Sequence, residues 1–356
     1  MCEFGRLTRC IVGSVVIVIS LTWAQSGERK KWTTLDWLQQ LNYSHELHNV
    51  TSSDGYQLQL QRMPRVGARP VLLVHGLLGS SLGWLCLGPG KSLAFQLHQR
   101  NYDVWLANLR GASPYGRHHL ELTDVMPEFW RYSFHEHGAY DLPAIIDHIV
   151  EHTKREAEQS ETQAQQVHQV LLIGHSQKRE KANKFELFPP GELRKLCSKK
   201  RELCEYYTKN LAGSALSNKQ LLDIFSYEHL LQGGSARELR HLQQIWKSGD
   251  FISYDYGPIE NMQIYHSVEA LNYNISQISV PIILYFGETD AIATPEGVHG
   301  IYARMLNSVR SVRRIASAKF NHFDFLVAGE VKTLVNDKLI ELMEKFLEGK
   351  LPYIIE

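Results

Sequence analysis

The sequence predicts an α/β protein with a mostly parallel central sheet. Short β-rich apolar runs occur at "PVLLVHG" from Pro70, "YDVWLANLRG" from Tyr102, "QVLLIGHS" from Gln169 and "VPIILYFG" from Val280. Their apolar residues are continuous rather than alternating, which is typical of strands buried on both faces. The segments between the runs are long enough for helices, which places helices on both sides of the sheet.

Helical periodicity is clearest in three segments. The first two, "GPGKSLAFQLHQRN" and "DLPAIIDHIVEHT", each follow one of the apolar runs and suit crossover helices. The third, "VKTLVNDKLIELMEKFLEG", predicts a C-terminal helix with an apolar face. The sequence contains no internal repeat or low-complexity tract.

Composition restricts the function classes. The chain has 356 residues, 44% of them hydrophobic, and a formal net charge of +0. It is therefore long enough to bury a large core, and it has no overall charge that would favour nucleic acid as a partner. One large domain, residues 25–356, is expected after an N-terminal segment.

That N-terminal segment has the features of a signal peptide. Arg6 and Arg9 precede the apolar run "CIVGSVVIVISLTWA", and Thr22 and Ala24 suit cleavage before Gln25. The alternative is an uncleaved anchor, but fifteen apolar residues fall short of the roughly 18 to 20 that span a bilayer. We therefore expect residues 1–24 to be removed and the protein to be secreted or lysosomal, without a transmembrane anchor.

The expected secretory compartment allows disulfides and N-linked glycans. Of five cysteines, Cys86, Cys197 and Cys204 remain after cleavage. An oxidising compartment favours one disulfide, with Cys197 and Cys204 as the favoured pair, Cys86 as a buried thiol, and the connectivity left open. The predicted glycosylation sites are Asn42, Asn49 and Asn274.

A strongly charged segment begins at residue 178. Of its 28 residues, 178–205, 14 are charged and nine of these are basic, against 21% charged residues in the whole chain. Such a run indicates a solvated surface rather than an anion site.

"GHSQ" predicts a catalytic serine. The apolar residues before it place Ser176 at the carboxyl end of a central strand, where α/β sheets present reactive groups. Taken singly, the motif is weak, because a strand-end serine also serves to cap a helix. The evidence from the rest of the chain decides between the two.

An acid and a base follow the serine in the order found in α/β hydrolases. "LYFGETDAIATP" places Asp290 just past a strand, and "SAKFNHFDFLV" places His322 before the terminal helix. Serine is a poor nucleophile at its free pKa, so His322 must accept its proton while Asp290 orients the imidazole. The developing oxyanion needs backbone donors, and the N–H groups of Leu77 and Gln177 are the candidates.

These motifs carry a family resemblance. Together with "HNVTSSDGYQLQLQRMP", "LLVHGLLGSSLGW", "FWRYSFHEHGAYDLPAIIDHI" and "SGDFISYDYG", they resemble the acid lipase family, the gastric and lysosomal lipases and their insect relatives. The resemblance runs from about Trp32 to the C-terminal helix. It implies an α/β-hydrolase fold and assigns Ser176, Asp290 and His322 to the triad and Leu77 and Gln177 to the oxyanion hole. The resemblance also implies a cap over the active site, here shortened to residues 178–262. The pair Cys197 and Cys204 is similar to the family's cap disulfide.

The resemblance breaks after Gln177. The family has a glycine at the next position, then a buried helix and a buried strand, whereas this chain continues "KREKANKFELFPPGELRKL". These charges do not suit a dry core. Because a helix, its turns and a strand take roughly 30 residues, the sequence predicts that one helix–strand unit is missing.

We therefore expect a lipase that acts on triacylglycerols or sterol esters at a lipid–water interface, without a cofactor or metal. Neither His118 and His119 nor His135, Glu136 and His137 have a spacing typical of a metal site. The alternative is a catalytically impaired lipase-like protein that binds lipid, or a truncated gene product.

Overall fold

Strands from both halves of the chain form the fold. The structure, a computed structural model, describes residues 33–160, 169–175, 186–187, 199, 202, 232–290 and 292–356, all of which belong to one unit, Thr33–Glu356. The strands are β1 Glu46–Thr51, β2 Tyr56–Met63, β3 Pro70–Val74, β4 Asp103–Leu106, β5 His118–His119, β6 Leu171–Gly174, β7 Glu186–Leu187, β8 Gly234–Ser235, β9 Ile282–Phe286, β10 Val309–Arg314 and β11 Ile354–Ile355. The helices are α1 Thr34–Gln40, α2 Leu93–Gln99, α3 Leu142–Gln159, α4 Ala236–Ser248, α5 Pro258–Tyr265, α6 Pro295–Arg304, α7 Asp324–Val327 and α8 Asp337–Leu347.

Shorter helical turns connect these elements. The 3₁₀ turns are Ser81–Trp84, Pro127–Trp130 and Ile275–Gln277. The turn Phe134–Glu136 and the π-helical turn His137–Asp141 lead directly into α3, and the π-helical turn Lys332–Asn336 leads into α8.

The larger sheet has the order β1-β2-β4-β3-β6, with β5 paired to β2. Its inner strand β3 runs parallel to β4 on one side and to β6 on the other, while β1 and β2 are antiparallel. All residues of β3 and β4 are buried. The predicted α/β architecture is therefore confirmed, and the four apolar runs are strands β3, β4, β6 and β9.

Successive residues of the inner strands pack into separate core layers on the two faces of the sheet. Leu73 packs in one layer with Phe95 of α2 and Met343 of α8. Leu72 packs in the other layer with Ile145 of α3. Because side chains of a strand alternate between faces, an apolar residue at every position requires helices on both sides.

Helix α3 begins immediately after Asp141, with a proline in its first turn that suits the fixed backbone angle there. Helix α4 begins with a capping box, in which Ser235 and Glu238 exchange hydrogen bonds between side chain and backbone. The capping box thus fixes the residue at which α4 begins.

A second sheet has the order β11-β10-β9, with parallel pairing. Among the described strands, none pairs with β6 on the side away from β3, and none joins β6 to β9. Leu172 of β6 is 49% exposed and Val280, just before β9, is 62% exposed. Apolar side chains are therefore exposed on β6 and just before β9.

Cys86 is free and buried, as the sequence predicts. Burial raises the pKa of its thiol to about 12, so the group is protonated and unreactive at physiological pH. Among the described helices, none combines the length and apolarity needed to cross a membrane.

Candidate active site

A buried aspartate–histidine pair lies at the end of β9. Nδ1 of His322 donates a hydrogen bond of 2.8 Å to Oδ2 of Asp290, and both side chains are almost completely buried. The pair fixes the imidazole ring in the tautomer that carries its proton on Nδ1. The lone pair is then on Nε2.

The backbone brings the two loops together. A Cβ atom on Gly287 would lie 2.3 Å from the carbonyl oxygen of Phe320, so only glycine allows this approach. Thr289 Oγ1 donates a hydrogen bond of 3.1 Å to the same carbonyl oxygen. Asp290 and His322 are therefore positioned by a direct contact between the chain segments that carry them.

Further hydrogen bonds orient both members of the pair. Oδ1 of Asp290 accepts from the backbone N–H groups of Ile292 at 2.8 Å and Ala293 at 2.9 Å. The N–H of His322 donates to Oδ1 of Asn321 at 2.6 Å. The carboxylate thus offers one oxygen to the backbone and the other to the imidazole, which prevents rotation of either group.

Nε2 of His322 is buried and has no hydrogen-bond partner among the described residues. A buried basic nitrogen without a partner loses its hydration, a cost of about 1 to 3 kcal/mol when nothing replaces it. Such exceptions are typical of catalytic groups, whose partner is the nucleophile or the substrate.

His175 lies directly beside His322. Its Nε2 donates a hydrogen bond of 2.9 Å to the carbonyl oxygen of His322, and the two ring centroids are 4.8 Å apart. Burial, and secondarily the nearby His322, lower the pKa of His175 to about 3, so its ring is neutral. The last described residue before Ser176 therefore lies next to the pair of Asp290 and His322.

The loop after β3 begins next to His175. Val74 and Gly174 are partners in the parallel pair β3–β6, and the N–H of His175 donates to the carbonyl of Val74 at 3.1 Å. His75 and His175 therefore each directly follow one of two neighbouring parallel strands, at the carboxyl ends of those strands. Active sites of open α/β sheets form at such carboxyl ends.

The candidate oxyanion residue Leu77 lies in a tight loop fixed by His75. Nε2 of His75 accepts from the N–H of Leu109 at 3.1 Å, and Nδ1 donates to the carbonyl of Gly76 at 2.8 Å. Leu78 has a left-handed φ of 62°, which is uncommon for a branched residue and typical of functional turns. Among the described residues, none accepts a hydrogen bond from the N–H of Leu77. The N–H of Leu77 therefore stays the candidate oxyanion donor.

Two buried polar groups next to this loop, Glu238 and His137, have pKa values shifted toward their neutral forms. Burial raises the pKa of Glu238 to about 8, and burial lowers the pKa of His137 well below its usual value. Nδ1 of His137 lies 3.7 Å from a carboxyl oxygen of Glu238. The carboxyl group of Glu238 and the side chains of Leu77 and Leu78 all lie next to Gly234. The neutral forms of these two side chains are compatible with an apolar substrate.

Several predicted residues lie outside the described part of the chain. These are Ser176, Gln177, Cys197 and Cys204. The predicted glycosylation sites Asn42, Asn49 and Asn274 are described, and all three side chains are exposed. The roles of all these residues stay predictions.

Sequence reasoning missed the supporting residues Gly287, Thr289 and His175. A signal existed for Gly287, because a glycine directly after a strand often marks a close approach of another backbone. His175 carried no separate signal, since any residue satisfies the second position of the serine motif. The described groups that could hold a metal ion lie on β1 and α3, and none of them includes Asp290 or His322.

Known proteins resemble the chain over most of its length. The family model "Partial alpha/beta-hydrolase lipase region" matches residues 34–88. Lipase 1 of Drosophila melanogaster is 32% identical over 86% of this chain and 78% of its own length, and gastric triacylglycerol lipase of Bos taurus is 29% identical over 85% and 88%. Among solved structures, monoglyceride lipase of Saccharomyces cerevisiae gives a TM-score of 0.45 at 16% identity, covering 91% of this chain and 97% of that one.

The match to Lipase 1 also contains gaps in this chain. It extends over 355 aligned positions but takes in 86% of 356 residues, which is about 306 residues. About 49 aligned positions of Lipase 1, the difference between 355 and 306, thus have no residue opposite them here. That number exceeds the roughly 30 residues of one helix–strand unit.

Proposed function

We propose, from the premise that this chain belongs to the acid lipase family, that it hydrolyses carboxylic esters of neutral lipids, triacylglycerols or sterol esters. The carrying observation is the buried pair Asp290–His322, whose unpartnered Nε2 lies beside His175. The chain is a carboxylic ester hydrolase of the α/β-hydrolase class.

In the proposed mechanism the hydroxyl oxygen of Ser176 attacks the ester carbonyl carbon while Nε2 of His322 accepts its proton. Asp290 stabilises the resulting imidazolium. The negative carbonyl oxygen accepts hydrogen bonds from the N–H groups of Leu77 and Gln177. His322 then gives the proton to the departing alcohol, which leaves an acyl-enzyme, and water releases the fatty acid by the same steps.

Exposed apolar side chains support action at a lipid–water interface. They occur close together in sequence, at Trp246, Ile259, Met262, Ile264, Val268 and Leu271. Ile259 is 81% exposed, and the surrounding segment includes the end of the predicted cap. Large apolar groups concentrated in one exposed segment are typical of surfaces that contact a membrane or a partner.

We further propose that a helix–strand unit is missing after Gln177. Three observations support the proposal: Lys178 stands where the family has glycine, the described edges of β6 and β9 are unpaired and apolar, and about 49 aligned positions of Lipase 1 lack a counterpart here. Below, the restored chain means this chain with an in-frame insertion after Gln177. The insertion consists of the Lipase 1 residues that have no counterpart in this chain at that point.

The test of the function is lipid hydrolysis by the restored chain. We expect it to release fatty acid from long-chain triacylglycerol and sterol ester emulsions at acid to neutral pH. A variant with Ile259→Ser and Met262→Ser is expected to lose at least about tenfold on emulsions while hydrolysing a short soluble ester normally, because it lacks apolar contact with the interface. Emulsion binding without fatty acid release would instead support the alternative, a lipid-binding protein with a relic triad.

The protein is proposed to be secreted or lysosomal and to carry N-linked glycans. The short apolar N-terminal run and the exposed positions of Asn42, Asn49 and Asn274 support this proposal. Expression in a secretory host is expected to give a product that begins at Gln25 and shifts in mass on glycosidase treatment. An intracellular, glycosidase-insensitive product beginning at Met1 would contradict it.

A further inference from the structure

Three histidines converge on the side of the larger sheet where β1 meets α3. His48 lies on β1, and His148 and His152 lie four residues apart on α3, so that both project from one helix face. One ring nitrogen from each lies within 4.8 Å of the others. Imidazole groups in this arrangement are the ligands that zinc and similar divalent metals prefer.

The distance between the first two histidines matches metal coordination. Nδ1 of His48 and Nε2 of His148 are 3.2 Å apart. Two ligands of a tetrahedral zinc ion with bonds of about 2.0 to 2.1 Å are separated by about 3.3 Å. An ion bound by both nitrogens would therefore hardly change their separation, and it would replace the proton that His148 donates to His48.

A carboxylate supports His48 from behind. Nε2 of His48 donates a hydrogen bond of 3.0 Å to Oε2 of Glu46, which leaves Nδ1 as the basic nitrogen that faces His148. Metal-binding histidines commonly donate their second N–H to a carboxylate in this way, because the contact fixes the tautomer and raises the basicity of the ligand. It is a second observation that favours a metal, independent of the clustering.

The charges around the cluster also favour a cation. Arg62 is the nearest positive group, and its Nη1 donates to Nε2 of His152 at 3.0 Å. Arg62 is itself surrounded by three carboxylates, those of Glu46, Asp103 and Glu156. One guanidinium among three carboxylates leaves a surplus of two negative charges, which a divalent ion would balance. Arg155 and Glu151, both near His148, offset each other.

We propose that His48, His148 and His152 bind one divalent transition metal ion. His152 contributes its Nε2, and Arg62 then keeps its bonds to Glu156 and Glu46 while it gives up the bond to His152. His48 and His152 are partly exposed, so a water molecule occupies the fourth position. The ion ties the edge strand β1 to α3, away from Asp290 and His322.

Without metal, the same side chains form a hydrogen-bonded polar cluster, in which His148 donates to His48 and His48 donates to Glu46. That cluster is the competing explanation. The i, i+4 pair His148 and His152 is visible in "DHIVEHT", but the third ligand comes from a strand about 100 residues earlier and becomes apparent only in the fold.

The test is Zn²⁺ binding by the full chain, purified without a histidine tag and freed of metal with a chelator. We expect one ion per chain, and at least about 100-fold weaker binding by His148→Gln or His152→Gln, since each loses a ligand. Glu46→Gln should weaken binding by about 10- to 100-fold through His48. His266→Asn is the control, because His266 is exposed, lies outside the cluster and has a left-handed conformation that asparagine tolerates.

The native and the denatured wild-type chain are titrated side by side, which keeps the test decisive even for a variant that fails to fold. The proposal predicts that the native chain binds Zn²⁺ at least about 100-fold more tightly than the chain in denaturant. Equal affinity in the two states would overturn it, as would unchanged Zn²⁺ affinity in folded His148→Gln. A tetrahedral Co²⁺ absorption spectrum that disappears in His148→Gln would support the three-histidine geometry.

Discussion

The restored chain is expected to hydrolyse lipid esters at least about 1000-fold faster than the 356-residue chain, compared at equal concentrations of folded protein. In the serine turn, the residue after Gln177 sets the direction of the Gln177 N–H. With lysine there, the turn loses the glycine that closes it, and loss of one oxyanion donor costs about 100- to 1000-fold in rate. Small displacements of the nucleophile add about another 100-fold.

The restored chain is also expected to unfold at a higher temperature. It would supply a partner for the edges of β6 and β9 and cover exposed Leu172 and Val280. Fatty acid release measures the activity, and thermal unfolding measures the stability. The matched control is a flexible glycine–serine insert of the same length after Gln177, which should change neither quantity. Rapid turnover by the 356-residue chain would refute the proposal that a unit is missing.

The fold was predictable where the chain is continuously apolar. Strands β3 and β4 follow from their runs, because strands buried on both faces need apolar residues at every position, and all their residues are buried. Strands β6 and β9 follow from similar runs, although the structure leaves them partly exposed. Strand β10, "VRSVRR", was missed since three arginines conceal it; Val309 and Val312 are buried while Arg310 is exposed. Its assignment depends on pairing with β9, which local sequence does not encode.

The acid and base residues of the site were predictable from the sequence, but the residues that position them were not all predictable. Asp290 and His322 were selected from chain order and strand ends, and in the structure they form a hydrogen bond of 2.8 Å. The close approach of Gly287 to Phe320 joins segments more than 30 residues apart, so no local pattern reveals it. The same holds for the contact of His175 with His322. Tertiary contacts of this kind decide geometry, whereas residue types decide chemistry.

In the restored chain, Ser176→Ala and His322→Ala are each expected to lower kcat on a short soluble ester by about 10⁶-fold, the scale measured when either residue of a triad is removed. Without His322 nothing accepts the serine proton, and without Ser176 no acyl-enzyme forms. KM should change little, because neither side chain holds the lipid chain. His299→Ala, which removes an exposed histidine of α6, should retain full activity.

Asp290→Asn tests the orientation of the base and is expected to lower kcat by about 10⁴-fold. In the native pair, Oδ2 of Asp290 accepts from Nδ1 of His322, so Nε2 is the basic nitrogen. An asparagine amide can instead donate to Nδ1, which moves the ring proton to Nε2 and removes the base from the nucleophile. The backbone bonds from Ile292 and Ala293 remain available to the asparagine oxygen, so the fold should persist. Nitrogen NMR of His322 would report the tautomer, and a fully active Asp290→Asn variant would exclude Asp290 as the triad acid.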